Sequence, residues 1–184
     1  DYFETIRQTL GAERWFLCGY SLSASLTIRY ALERPERVLG HCLTNSNSAF
    51  AEPALMAEWA VSGARTLARA QRGGRKFLET MPIHPRPPTA LPKAVYAPLV
   101  ERSTLLDPMG ASMTLGLTAP FASVRDRLTD NTRPALLLAG RREKPFMAHL
   151  EFAKTNMPLL RVHELEAGHG VNMQAPDEFN QRIR

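Results

Sequence analysis

Three residues of the types that perform nucleophilic catalysis occur along the chain in the order serine, acid, histidine. Ser21 stands at the centre of Gly19–Ser23, Glu143 follows Gly140 by three positions, and His169 lies between two glycines. A histidine that takes the proton from a serine hydroxyl turns it into a nucleophile toward acyl carbons, and a carboxylate can hold the imidazole in the required tautomer. The pattern therefore predicts acyl-transfer chemistry if the fold brings these side chains together.

A turn at Ser21 is predicted between a strand and a helix. Trp15–Cys18 is a short apolar run typical of a buried strand, and from Leu22 onward apolar residues recur at helical spacing as far as Pro35. A tight turn pushes its central side chain clear of the backbone, and the glycine and serine two positions to either side are small enough to permit it. The helix start also directs backbone N–H groups toward a developing oxyanion, so the N–H of Leu22 is a candidate oxyanion donor.

Each of the three residues also has a purely structural interpretation. Ser21 could cap the helix that follows, because serine is favoured at the N-cap. Glu143 lies among three basic residues and could form a surface ion pair. His169, flanked by glycines in a loop, has little reason to pack in a core, which favours a catalytic role. The other histidines are predicted to be structural or exposed: His41, His84, His149 and His163.

Short apolar runs alternate with helical periodicities, which predicts an α/β fold with a parallel sheet and helices on both faces. The predicted strands are Arg14–Cys18, Val38–Leu43, Arg133–Gly140 and Leu159–Leu165. The predicted helices of this part are Asp1–Gly11, the stretch after Ser21, Phe146–Asn156 and a last helix from Pro176. Ser21, Glu143 and His169 all follow strands, and open α/β sheets place their ligands at the carboxyl ends of strands.

A helical excursion is predicted between two strands of the sheet, over residues 49–120. Its helical pieces are Pro53–Arg72, Lys93–Leu105 and Pro108–Leu117, and a loop signal, Asn45–Ser48, precedes them. A proline cluster within it excludes a regular helix or a central strand at Pro82, Pro85, Pro87, Pro88 and Pro92. The expected division is therefore a core at 1–48 and 121–184 with an insert at 49–120.

The composition is that of a globular domain: 184 residues, 44% hydrophobic and 22% charged. No apolar run approaches the length of about 18 residues that spans a membrane, so we expect no membrane partner. The net charge is +5, but the basic residues are mostly scattered arginines, which favours a solvated face over a nucleic-acid site. The compartment is left open, with the cytoplasm favoured, and so is the oligomeric state.

Both cysteines, Cys18 and Cys42, fall in predicted buried strands and fit no metal-binding spacing. They are interpreted as core thiols, and no metal site is expected.

Several segments resemble the α/β-hydrolase family. Gly19–Ser23 resembles its nucleophile elbow, G-x-S-x-G, with a serine in place of the final glycine. Gly140–Glu143 is similar to the family's strand-7 ending, where aspartate is the more usual acid. Ala167–Gly170 followed by Pro176–Phe179 resembles its histidine loop and last helix, and Tyr30–Val38 its post-elbow helix and strand 6. The resemblance covers nearly the whole chain.

This resemblance implies a cofactor-independent serine hydrolase with a Ser21-His169-Glu143 triad, a helical lid at 49–120 and an acyl-enzyme intermediate. The expected substrate is a small molecule with an ester, thioester, lactone or activated carbon–carbon bond. The resemblance also leaves open a lyase, perhydrolase, acyltransferase or menaquinone-pathway synthase, and a non-catalytic ligand receptor or remnant. A basic interaction module is a weaker alternative.

Family members carry four more strands ahead of the one at Trp15, and a loop among them supplies a second oxyanion donor. The chain is therefore expected to be the C-terminal portion of a longer hydrolase, or to pair with another segment. That expectation leaves Leu22 as the one oxyanion donor that the sequence names.

Overall fold

Four apolar runs form the strands of one sheet in the computed structural model, which describes residues 2–81, 84–85 and 91–184. The strands are β1 (Trp15–Gly19), β2 (Val38–Thr44), β3 (Ala135–Gly140) and β4 (Leu160–Leu165). They lie in the order β1-β2-β3-β4, and each neighbouring pair is parallel. The predicted parallel sheet is confirmed, and the residues that follow the strands meet at its carboxyl edge.

The helices agree with the predicted pattern in all long segments. They are α1 (Tyr2–Thr9), α2 (Leu22–Glu33), α3 (Pro53–Leu78), α4 (Lys93–Ser103), α5 (Pro108–Met113), α6 (Met147–Asn156), α7 (Val171–Gln174) and α8 (Pro176–Ile183). The sequence did not predict the short helix α7 or the 3-10 helix at Arg125–Asp130, because stretches of four to six residues carry too few turns to show a period.

The described chain divides into two units. Unit 1 combines Asp1–Ala51 with Ser123–Arg184 and contains the whole sheet, whereas unit 2 comprises Glu52–Ala122 and is helical. Every residue of the predicted catalytic set belongs to unit 1. Part of the predicted proline-rich segment, Pro82, Pro87 and Pro88, lies outside the described residues.

Strand β3, in the interior of the sheet, is buried on both faces, which explains why it is apolar throughout. Leu137 and Ala139 of β3 pack in one cluster with Ile28 of α2 and Leu150 of α6. Leu138, between them in sequence, belongs to a second cluster that contains residues of α7 and α8. Because alternate side chains of a strand point to opposite faces, helices cover this part of the sheet from both sides.

The prediction that both cysteines are core thiols is wrong for Cys18, which is exposed. Cys18 pairs in register with Cys42 of β2, but β1 lies at the edge of the sheet formed by the described residues. Phe16 and Cys18 alternate with the buried Leu17, and the cluster on the α7–α8 face reaches Cys42 but takes no member from β1. A hydrogen bond with Cys42 lowers the pKa of Cys18 to about 7.

Unit 2 is organised around the long helix α3, which extends beyond its predicted end and contains one non-helical residue, Gly74. Within the unit, α3 approaches a π-helical turn at Thr114–Thr118. A Cβ at Gly63 of α3 would lie 2.4 Å from the carbonyl oxygen of Gly116. The two backbones therefore touch at a point where neither residue has room for a side chain.

Among the described residues, no helix combines the length and the apolar character needed to cross a bilayer.

Replacing Gly63 by alanine tests this backbone contact. The new methyl group would meet backbone atoms, so its cost should lie toward the upper end of about 1–3 kcal/mol and exceed the gain of about 1 kcal/mol in helix propensity. We expect Gly63→Ala to unfold at lower urea concentration than the parent when helix content is followed by circular dichroism. Ser62→Ala, the exposed neighbour in the same helix, is the matched control and should not lower the midpoint. A Gly63→Ala midpoint equal to or above that of the parent would show that the contact is loose.

Candidate active site

The turn at Ser21 has a backbone conformation that side-chain-bearing residues rarely adopt. Ser21 has φ 55° and ψ −125° and occupies the N-cap position of α2, but its side chain makes no capping hydrogen bond. Strained backbone of this kind persists only where the surroundings enforce it. A Cβ at Gly19 would lie 2.6 Å from Cα of Ala24, so only glycine fits two residues before Ser21. The hydroxyl of Ser21 is thus free of helix capping and available to another partner.

Ser23, which departs from the usual glycine of the elbow motif, closes the turn through its hydroxyl. Its Oγ accepts a hydrogen bond from the N–H of Tyr20 at 2.9 Å and donates one to the carbonyl of Tyr20 at 2.7 Å. The N–H of Ser21 donates to Oγ1 of Thr44, at the end of β2, at 3.2 Å. These bonds hold the elbow from within and tie it to the neighbouring strand.

His169 bridges the two other residues of the predicted set. Its Nε2 lies 2.8 Å from Oγ of Ser21, and its Nδ1 lies 3.0 Å from both carboxylate oxygens of Glu143. Because a carboxylate only accepts, the geometry assigns the ring proton to Nδ1 and leaves the Nε2 lone pair facing the serine hydroxyl. This is the arrangement in which a histidine can act as a general base toward Ser21.

Backbone hydrogen bonds join the loops that carry Glu143 and His169. The N–H of Arg141 donates to the carbonyl of Leu165 at 3.1 Å, and the N–H of Arg142 donates to the carbonyl of Ala167 at 2.9 Å. The loop after β3 that ends at Glu143 (the acid loop) is therefore hydrogen-bonded to the end of β4 and to the loop that carries His169 (the histidine loop). These bonds fix the separation of the two side chains.

The alternative that Glu143 serves as a surface ion pair has no support in its contacts. The side chain is only 14% exposed, and both Arg141 and Arg142 pair with Glu166 instead. Burial raises the pKa of Glu143, but hydrogen bonds from His169 and Asn45, the charge of His169 and a hydrogen bond from Asn47 outweigh it, so the net shift is downward. The carboxyl group is held ionised in a largely buried position.

Two residues near Glu143 were missed by the sequence analysis. Asn45 and Asn47, which follow β2, both donate side-chain hydrogen bonds to the carboxylate of Glu143. The sequence showed them only as a polar loop signal. The signal that could have found them is their position, because the end of a strand beside β3 must reach the same edge of the sheet.

Tyr20 lies against His169, with ring centroids 5.4 Å apart. Burial and the nearby charge of Glu143 raise the pKa of Tyr20, so its phenol stays neutral beside the histidine.

Leu22, the predicted oxyanion donor, stands beside the nucleophile in the chain. Leu22 begins α2 directly after Ser21, where its N–H has no acceptor within the helix.

His41 is buried, with Nε2 3.3 Å from Oδ1 of Asn131. His84 of unit 2 lies 3.2 Å from Oγ of Ser103, and His149 packs against Phe50 and Phe146 in unit 1. His163 is half-buried on β4. Within residues 2–81, 84–85 and 91–184, no three His, Cys, Asp or Glu side chains are grouped to hold a metal ion.

A parallel sheet that presents a strained serine, a histidine and an acid at its carboxyl edge defines an α/β-hydrolase fold. The sequence model of the Alpha/beta hydrolase family matches residues 1–182, and the chain belongs to this family. The resemblance noted in the sequence is therefore confirmed. No curated protein matches the chain.

Solved structures show the same fold at low sequence identity. MenH from S. aureus has a TM-score of 0.84 and 18% identity over 99% of this chain and 71% of its own. The enol-lactonase from Burkholderia xenovorans LB400 has a TM-score of 0.68 and 20% identity over 97% and 67%. Proline iminopeptidase of Mycobacterium smegmatis has a TM-score of 0.66 and 22% identity over 99% and 67%.

The lowered pKa of Glu143 predicts how its contribution to stability changes with pH. A carboxyl group whose folded pKa lies below its ordinary value of 4.5 stabilises the fold above that value and loses this contribution as the pH falls through the folded pKa. The difference in unfolding free energy between the parent and Glu143→Gln should therefore shift against the parent as the pH falls from neutral to below about 4.5. Urea denaturation at several pH values measures it. A difference that is constant across this range would contradict the assigned shift.

Proposed function

We propose that the chain acts as a serine hydrolase on a small-molecule ester, thioester, lactone or activated carbon–carbon bond, through an acyl-enzyme on Ser21. The observation that carries the proposal is the continuous line of hydrogen bonds from Oγ of Ser21 through both ring nitrogens of His169 to Glu143. Membership of the alpha/beta hydrolase family supports hydrolase-type chemistry.

In the proposed first step, Oγ of Ser21 attacks the acyl carbon while Nε2 of His169 takes the hydroxyl proton. The bond from the acyl carbon to the leaving group then breaks, and His169 delivers the proton to that group. In the second step, His169 takes a proton from water, whose oxygen attacks the acyl-enzyme. The bond between the acyl carbon and Oγ of Ser21 then breaks, His169 returns the proton to Oγ, and the acid is released. Glu143 keeps Nδ1 protonated and stabilises the imidazolium in both steps.

The backbone N–H of Leu22 is the proposed oxyanion donor from the elbow. It lies one residue beyond the nucleophile at the start of α2, where the positive end of the helix dipole favours a developing negative charge. A donor of this kind is worth about 10²- to 10³-fold in rate. The strained φ of Ser21 supports this role, since it orients the hydroxyl and the following N–H from one turn.

The names of two similar structures state what those proteins act on, but they do not narrow the substrate of this chain. One is described as an enol-lactonase and another as a proline iminopeptidase, so the fold serves acyl transfer from both oxygen and nitrogen leaving groups. At identities of 20% and 22% these names do not choose between the bonds proposed here.

Labelling with a fluorophosphonate tests whether Ser21 is an activated nucleophile. The parent chain should gain a single adduct, detected by intact mass, and Ser21→Ala should gain none. Turnover of any substrate found by screening should fall by about 10⁴-fold or more in Ser21→Ala, because the attacking oxygen is lost.

Ser62→Ala, which removes an exposed serine of α3, is the matched control and should label as the parent does. Near-parental turnover in Ser21→Ala would reject the assignment. A labelled parent with no turnover across ester, thioester and lactone screens would instead favour a ligand receptor that has kept its triad.

A further inference from the structure

Thr44, the last residue of β2, and the four residues that follow it, Asn45–Ser48, direct polar side chains at both the nucleophile elbow and the loop that carries Glu143. Thr44 accepts from the N–H of Ser21, Ser48 lies 3.3 Å from the hydroxyl of Ser25, and Ser46 caps the N–H of Ala49. The two asparagines of the loop are the members that reach the carboxylate of Glu143. We propose that Asn45 and Asn47 are positioning residues that fix this carboxylate against His169. The inference rests on the proposed function of Ser21, His169 and Glu143.

Asn45 has no freedom in how it presents its amide. It is fully buried, and its Oδ1 accepts the N–H of Gly140 at 2.9 Å. Because a backbone N–H can only donate, this bond fixes the amide oxygen and therefore the position of Nδ2. Nδ2 then donates to the carbonyl of Gly140 at 3.0 Å and to Oε2 of Glu143 at 2.7 Å. Both protons of the Asn45 side-chain NH₂ group are therefore used, one by the carbonyl of Gly140 and the other by the carboxylate of Glu143.

Asn47 supplies the second hydrogen-bond donor to the carboxylate of Glu143. Its Nδ2 lies 3.3 Å from Oε1 of Glu143, and its buried Oδ1 has no hydrogen-bond partner among the described residues. Rotating the amide by half a turn would place that oxygen against the carboxylate, where two acceptors repel. An unpaired buried acceptor is costly, so its presence indicates that the amide orientation is set by Glu143.

Together the two amides give each carboxylate oxygen its own donor, while Nδ1 of His169 lies 3.0 Å from both oxygens. The last torsion of a glutamate side chain is broad, so a glutamate without such donors would rotate away from the histidine. Neutral amides also stabilise the buried negative charge without adding a cation that would compete with an imidazolium. The pair therefore both orients the acid and keeps it ionised.

A carboxyl titration measures this role directly. In the parent and in Asn45→Ala and Asn47→Ala, the side-chain carboxyl of Glu143 is followed by ¹³C NMR against pH, with Glu143→Gln used to identify its signal. Loss of either donor should raise the pKa of Glu143. Asn156→Ala is the matched control and should leave the titration unchanged, because among the described residues its side chain donates to the backbone of α6 alone.

The second readout is the rate of fluorophosphonate labelling. Each asparagine variant should label about 10-fold more slowly than the parent, the size expected for one hydrogen bond to a charged group. In a Glu143→Gln background the same substitutions should change the rate by less than about 2-fold, since a positioning residue acts through the carboxylate. If Asn45→Ala does not fold, Asn47→Ala decides the question, because Asn47 donates to no backbone group of the acid loop.

An unchanged Glu143 titration in the asparagine variants would overturn the inference. So would an equal slowing of labelling in the presence and absence of the Glu143 carboxylate, which would indicate a purely structural role. If the parent itself is not labelled, the proposed function fails, whereas the carboxyl titration still decides whether the amides hold Glu143.

Discussion

The site depends on one constraint, the need to keep a largely buried carboxylate charged. Burial alone pushes the pKa of Glu143 upward, and only the donors around it reverse the shift. Those donors come from two loops, the histidine loop after β4 and the polar loop after β2. The loops must hold their positions for the charge to persist, so the electrostatics of a single group couples three strand ends of unit 1.

A second constraint acts at the other end of the hydrogen-bonded line. Ser21 is held at a positive φ that costs free energy, and the cost is balanced by bonds that Ser23 and Thr44 make to the backbone of the turn. The serine at position 23 replaces a glycine of the usual motif, and its hydroxyl contributes two of these bonds. The strained elbow is therefore bonded to Thr44, and the loop directly after Thr44 carries the asparagines that bond to Glu143.

The sequence revealed what is encoded locally. Ser21 and His169 are marked by small neighbours within a few residues, and the continuous apolar run of β3 reflects burial on both faces. The sequence did not identify Asn45 as a site residue, because its partners lie about a hundred residues away and contact it only once β2 and β3 pair. Cys18 was misplaced for a related reason, since the apolar pattern of β1 does not show which of its faces is covered.

The pairing register between β2 and β3 explains how a distant asparagine reaches the acid. Thr44 lies opposite Leu138, so Asn45 leaves the strand at the level of Ala139, one residue before Gly140. From there its amide can bond both the N–H and the carbonyl of Gly140, and its remaining proton points to Glu143. A register shift of one residue between β2 and β3 would turn the side chain of Thr44 and that of Asn45 each to the other face of the sheet. The bond from Ser21 to Thr44 and the bond from Asn45 to Glu143 would both be lost. The register of two buried strands, set by hydrophobic packing, thereby determines the geometry of the polar site above them.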